Sequence, residues 1–195
     1  MIGKTISLAV LAATLAVAGC SMQQNGTHDN ADVKIQTPIG GLKFKTNDAV
    51  VPGETGLPAY PGATVAKKDN RDNGAADIDI SFGDFHLRVR AVGYRTPDSP
   101  EKVRAFYRKE LARYGDVIEC EDDHSVGTLS RTSEGLTCDE GKHIKISNID
   151  RHAKAEFELK TGSKNHQHIV AIEPHPEGTK FGLVSLDVPS EEKSN

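Results

Sequence analysis

The sequence predicts a single α+β domain: an antiparallel sheet of about six to eight strands with one principal helix, 99–114, packed on one face. Three observations lead there. Residues 77–94 alternate apolar and polar about Gly83-Asp84, the pattern of a tight hairpin. Residues 99–114 carry the one convincing helical stripe. Further short alternating runs follow with Gly, Pro and Ser between them, and strands in succession beside one helix argue against a doubly wound parallel sheet.

In the hairpin, Ile78, Ile80 and Phe82 alternate with Asp77, Asp79 and Ser81, while Phe85, Leu87, Val89 and Ala91 alternate with His86, Arg88 and Arg90. A two-residue loop sets Phe82 opposite Phe85, Ile80 opposite Leu87 and Ile78 opposite Val89. On the other side Asp79 then meets Arg88, and Asp77 meets Arg90. A slip of one residue would reverse both faces together, so the pattern determines the register. Opposite charges in register contribute about 0.2–1 kcal/mol per pair. That face reads as a solvated ladder, with a carboxylate–arginine site as its functional alternative. Downstream, Ser99 suits an N-cap and Pro100 the first helical turn. Val103, Phe106, Tyr107, Leu111 and Tyr114 recur at helical spacing up to Gly115, a natural stop. The helix is expected on the apolar face of the hairpin.

The remaining elements are read in the same way. Asp32–Thr46 predicts a hairpin around Pro38-Ile39-Gly40-Gly41. Leu57–Ala63, with two prolines and a glycine, enters the domain extended and kinked. Tyr60 within it reads as a plug at the core edge rather than a ligand-stacking group. Asp116–Cys120 and Leu129–Thr132 are expected as short strands leading into and out of a loop. His143–Ser147 and Ala153–Lys160 alternate, and Gln167–Ile172 and Lys180–Val188 are apolar enough for central strands. The domain is expected over 32–188, with a polar tail over 189–195.

The amino terminus decides the compartment. Lys4 precedes an apolar run from Ile6 to Ala18 of about 13 residues, shorter than the roughly 20 that span a bilayer. With small residues at its exit this is a secretory signal over 1–19. Its end, Val17-Ala18-Gly19-Cys20, resembles the lipobox of bacterial lipoproteins. That resemblance implies cleavage after Gly19, diacylglyceryl on the Cys20 sulfur and acylation of the new amine, with no other cofactor expected. One acyl chain binds marginally, at about 0.8 kcal/mol per buried methylene, whereas two or three anchor stably. Ser21 stands where an aspartate commonly retains lipoproteins at the inner membrane, so the family rule points to the outer membrane, facing the periplasm. Residues 20–31, polar after the cysteine, read as a flexible tether.

Processing leaves 195 − 19 = 176 residues, enough for a real core. Removing Lys4 leaves 23 basic against 28 acidic residues, a net charge of 23 − 28 = −5. No basic patch of the kind that binds nucleic acid occurs. Besides Cys20 there are Cys120 and Cys138, an even pair expected as a disulfide in an oxidising compartment. Two buried free thiols are the alternative; a redox pair would want C-x-x-C spacing.

Catalytic motifs are absent from the sequence. The acidic run Glu119, Glu121, Asp122, Asp123 reads as a solvated loop. His166 and His168 stand two apart on a strand and share a face, with His143, His152 and His175 as further imidazoles. Zinc needs three or four convergent ligands and local geometry places two, so these are weak metal candidates and surface histidines are the ordinary reading.

Several stretches together resemble a group of uncharacterised bacterial lipoproteins: Val33–Pro38, Leu57–Ala63 with its Tyr-Pro-Gly-Ala, the Ser-Pro-Glu-Lys-Val start of the helix, Ser133–Cys138 and Ser163–Val170. The resemblance implies a lipid anchor and a single domain, and carries no activity. The expected function is therefore a non-catalytic binding or scaffolding module of the cell envelope, held to the membrane by lipid, with an envelope protein as the expected partner. The alternative is a periplasmic metal-binding protein or metal-assisted hydrolase using the histidines.

Overall fold

The computed structural model describes residues 21–25, 31–46, 53–66, 74–139 and 157–189. Its strands are β1 (Ser21–Asn25), β2 (Ala31–Thr37), β3 (Gly40–Thr46), β4 (Thr64–Val65), β5 (Ala75–Phe82), β6 (Phe85–Thr96), β7 (Val117–Glu121), β8 (His124–Ser125), β9 (Phe157–Gly162), β10 (His166–His175) and β11 (Gly178–Asp187), with one helix, α1 (Pro100–Leu111). All belong to one sheet in the order β1-β2-β3-β5-β6-β11-β10-β9-β7-β8, with β4 beside β6. Every pairing is antiparallel.

Eleven strands replace the six to eight expected. The surplus is β1, β4 and β8: β4 and β8 are two residues long, and β1 is wholly polar except Met22. Such segments carry no alternation of their own and become strands because a partner offers its edge. Ser21–Asn25, expected as the start of a tether, is thus paired along its whole length with β2. Leu129–Thr132 is not a strand; Arg131 makes one isolated bridge to Thr137. His143–Ser147 lies outside the described residues, and β9 begins at Phe157 within the run that starts at Ala153.

The central hairpin has the expected register, from Phe82↔Phe85 to Asp77↔Arg90. Gly83 takes φ 55°, which suits the first loop position of a type II′ turn. In β2–β3 the turn tightens to Pro38-Ile39, and Val33↔Phe44 and Ile35↔Leu42 face each other. In α1, Ser99 is extended and Pro100 opens the first turn, with Glu101 at the start and Arg108 and Lys109 in the last turn, each complementing the helix dipole.

The helix packs on β9, β10 and β11. Its buried Val103, Tyr107 and Leu111 meet Val92, Tyr94, Leu159, Val170, Ile172, Phe181 and Leu183. Tyr60 is in this core as expected of a plug, edge-on to Phe106 and Phe181, with its hydroxyl donating to Asp98. On β6, Val92 and Tyr94 are even-numbered, and pairing with both neighbours runs without a bulge. Hence Leu87 and Val89 point to the opposite face, and the expectation that α1 covers the apolar side of the hairpin is wrong. The helix shares its face with Arg88, Arg90, Asp77 and Asp79.

This parity is testable by unfolding in urea. Leu183→Ala should cost about 2–5 kcal/mol as a core truncation, whereas Leu87→Ala, half-buried on the far face, should cost less than about 1.5 kcal/mol.

Candidate functional site

The disulfide forms as expected: Cys120 and Cys138 are bonded, with Cα atoms 5.6 Å apart. Cys120 is on β7 and Cys138 on the returning loop, and with Ile118 and Leu136 they make a second small core. In the ladder β7-β9-β10, Ile118 aligns with Lys160 and Ile169, which places this core on the sheet face away from α1. Lys160, buried there, donates to the Cys138 carbonyl at 3.0 Å and pairs with Glu158 at 2.9 Å. The crosslink therefore pins a covering loop over one end of that face.

Glu119 does not belong to a solvated acidic run. It is buried at 9% exposure and held by both Arg104 and Arg108 of α1, while Arg104 also lies over the Phe157 ring at 3.9 Å. A carboxylate accepting from two guanidiniums is a strong charge-assisted contact, and here it ties the helix to β7. The clue was the i, i+4 spacing of the two arginines on one helix side. Asp122 and Asp123, with φ 51° and 68°, form the two-residue β7–β8 turn, where positive φ at both positions is the type I′ pattern.

The charged side of the hairpin extends well beyond it. One row runs Lys34, Lys43, Asp79, Arg88, Asp187, His166 across six strands; the next runs Asp32, Lys45, Asp77, Arg90, Ser185, His168. Signs largely alternate along each row. Asp77 is buried, its nearest cation being Arg88 Nε at 3.8 Å, and Arg90 donates instead to the Glu54 carbonyl. Asp77 Oδ1, Arg88 Nε and Arg90 Nε have no hydrogen-bond partner. Residues 53–57 overlie the β10 end of these rows: Thr55 O faces His168 Nδ1 at 3.0 Å, and Tyr114 donates to the Gly56 carbonyl. The β1–β3 end stays open as a shallow hollow lined by Gln23, Asp32, Lys34, Lys43 and Lys45. Lys34, Lys43 and Lys45, gathered in that hollow, make it suited to holding a carboxylate or other oxyanion of a partner.

His166 and His168 do share a face, but they are bound to different neighbours. His166 Nδ1 lies 2.8 Å from Asp187 Oδ1, while His168 lies under the Tyr114 ring at 4.1 Å between centroids. His175 is at the other end of β10, its Nδ1 accepting from the Glu177 amide, and His143 and His152 lie outside the described residues. Among the described residues no three His, Cys, Asp or Glu side chains are grouped to hold a metal ion. Cys20 also lies outside them; the first described residue after it, Ser21, opens β1. No family model, curated protein or solved structure matches this chain.

Two measurements probe this geometry. Replacing both Cys120 and Cys138 by Ser should cost about 3 kcal/mol of stability for a closed loop of 18 residues, read from the shift in urea midpoint. Burial holds His168 below the ordinary imidazole value of 6.5, against the upward pull of the Thr55 carbonyl. Folding with a depressed histidine pKa favours the neutral ring. The associated stability is present above the unfolded pKa and is lost as pH falls through 6.5 toward the folded value. Stability should therefore decline from pH 7.5 to about 5, and His168→Gln should flatten part of that slope.

Proposed function

We propose that this protein is a lipid-anchored lipoprotein of the bacterial envelope, facing the periplasm from the outer membrane, whose sheet domain serves as a non-catalytic binding or scaffolding module. The observation that carries the reading is Val17-Ala18-Gly19-Cys20, a lipobox-like ending on an apolar leader too short to span a bilayer. The Cys120–Cys138 disulfide supports it, because such crosslinks persist in oxidising compartments. The partner-facing surface in this reading is the open end of the charged rows. Asp32, Lys34, Lys43 and Lys45 stand there in a fixed order on paired strands. A fixed charge pattern on a rigid sheet selects a partner by complementarity and suppresses wrong ones through like-charge contact.

Intact-mass measurement on protein made in a bacterial host tests the anchor. The expected product begins at Cys20 and carries diacylglyceryl plus an amide-linked acyl chain, whereas Cys20→Ser should leave the leader uncleaved. A Ser21→Asp variant should shift the lipidated protein to the inner-membrane fraction. An unmodified Cys20 in the mature protein rules the reading out.

A further inference from the structure

Four large apolar side chains stand in water at one end of the sheet: Met22 at 68% exposure, Ile39 at 77%, Phe82 at 48% and Phe85 at 45%. They come from three separate chain segments. The strand register brings them together, because Ser21 aligns with Gln36, Gly41, Ser81 and His86 on one row. The next row outward holds Gly40, Phe82 and Phe85, with the Pro38-Ile39 turn at the same end. The two turns are joined directly, the Gly83 amide donating to the Ile39 carbonyl at 3.2 Å. Gly40 allows the closeness, since a Cβ there would fall 2.6 Å from Phe82 Cδ1 and 2.1 Å from the Ser81 carbonyl oxygen. From β1 to β6 there are four interstrand steps, so the tip is about 19 Å wide at about 4.8 Å per step.

We propose that this hairpin tip inserts into the lipid bilayer beside the acylated Cys20. The proposal rests on the anchoring reading above and adds to it the orientation of the domain and the residues that touch lipid. Two independent facts converge on the same end. The exposed apolar residues are gathered there, and the chain enters β1 there with Ser21 immediately after the cysteine. One residue spans at most about 3.6 Å, so a lipidated Cys20 holds this end of the sheet at the headgroups. Apolar side chains at that depth leave water, and the contact follows apolar area. Asp84, at the very tip, makes an anionic lipid no better than a zwitterionic one, so the attraction is hydrophobic rather than electrostatic.

The chain contains no tryptophan, which makes single-tryptophan reporters clean. The full lipidated protein carrying Phe82→Trp, Ile39→Trp or Glu177→Trp is reconstituted in phosphatidylcholine vesicles containing acyl-brominated lipid. Glu177 lies in the β10–β11 turn at the other end of the sheet, roughly 35 Å away over the eleven residue steps from Phe85 to Thr96 at about 3.3 Å each. The tip reporters should shift to the blue and lose most of their emission to bromine, while the Glu177→Trp reporter keeps its own. Replacing part of the lipid with phosphatidylglycerol should not deepen the quenching. Equal quenching at both ends in a protein whose mass shows lipid on Cys20 overturns the tip while leaving the anchor standing. A blue shift without bromine quenching means that a second copy or another protein covers the tip, and also overturns it. If Cys20 bears no lipid, the anchoring reading fails by itself. The same reporters in that protein then decide the tip: bromine quenching at residue 82 sustains it, and equal emission overturns it.

Discussion

One unbroken strand determines how this molecule is arranged. β6 runs twelve residues from Phe85 to Thr96 and keeps a single pleat throughout, paired with β5 on one side and β11 on the other. Side chains on a strand alternate faces, and only a bulge changes the phase. Once Tyr94 and Val92 are committed to the core under α1, Arg90, Arg88 and His86 must follow on the same face. Leu87 and Val89 must then go to the other. The charged rows and the apolar face away from the helix are thus two consequences of one parity.

Around the upper part of that strand the core is aromatic. Tyr94 stacks on Phe181 at 5.4 Å, and Tyr60 and Tyr107 close against the same ring. Such pairs contribute about 0.5–1.5 kcal/mol beyond their buried area, which matters in a chain where only 36% of residues are hydrophobic. Glu119 fastens the outer side of the helix through Arg104 and Arg108, and the disulfide loop closes the far face at β7 and β9. Stabilising contacts are therefore concentrated on the strands around α1. The β1–β3 side is held by the antiparallel ladders that join it to β5.

What could be read in the sequence was local. The β5–β6 register followed from alternation about Gly83-Asp84, the helix from Ser99-Pro100 and its stripe, and the disulfide from the even pair Cys120 and Cys138. What could not be read depended on partners far away in the chain. The apolar phase of Phe85–Ala91 reverses at Val92 and Tyr94, and only pairing with β11, about ninety residues later, makes that second phase the one α1 covers. Glu119 looked like its acidic neighbours because burial is set by the helix that crosses it. Polar β1 had no signal at all, since its strand character comes from the free edge of β2.

That edge pairing changes what an amino-terminal lipid would mean mechanically. A flexible stretch of ten residues would let a domain rotate freely, with an r.m.s. reach of about 5–6 Å times the square root of its length. A strand beginning at Ser21 would remove that freedom. Ser21–Asn25 is hydrogen-bonded along β2, β2 to β3 and β3 to β5, so a force on the first residue passes directly into the sheet. The strands would then stand with one end toward the lipid, the charged rows would run across them at a set height, and the β10–β11 turn would point away. Orientation at a membrane would follow from where a polar five-residue segment finds its hydrogen bonds.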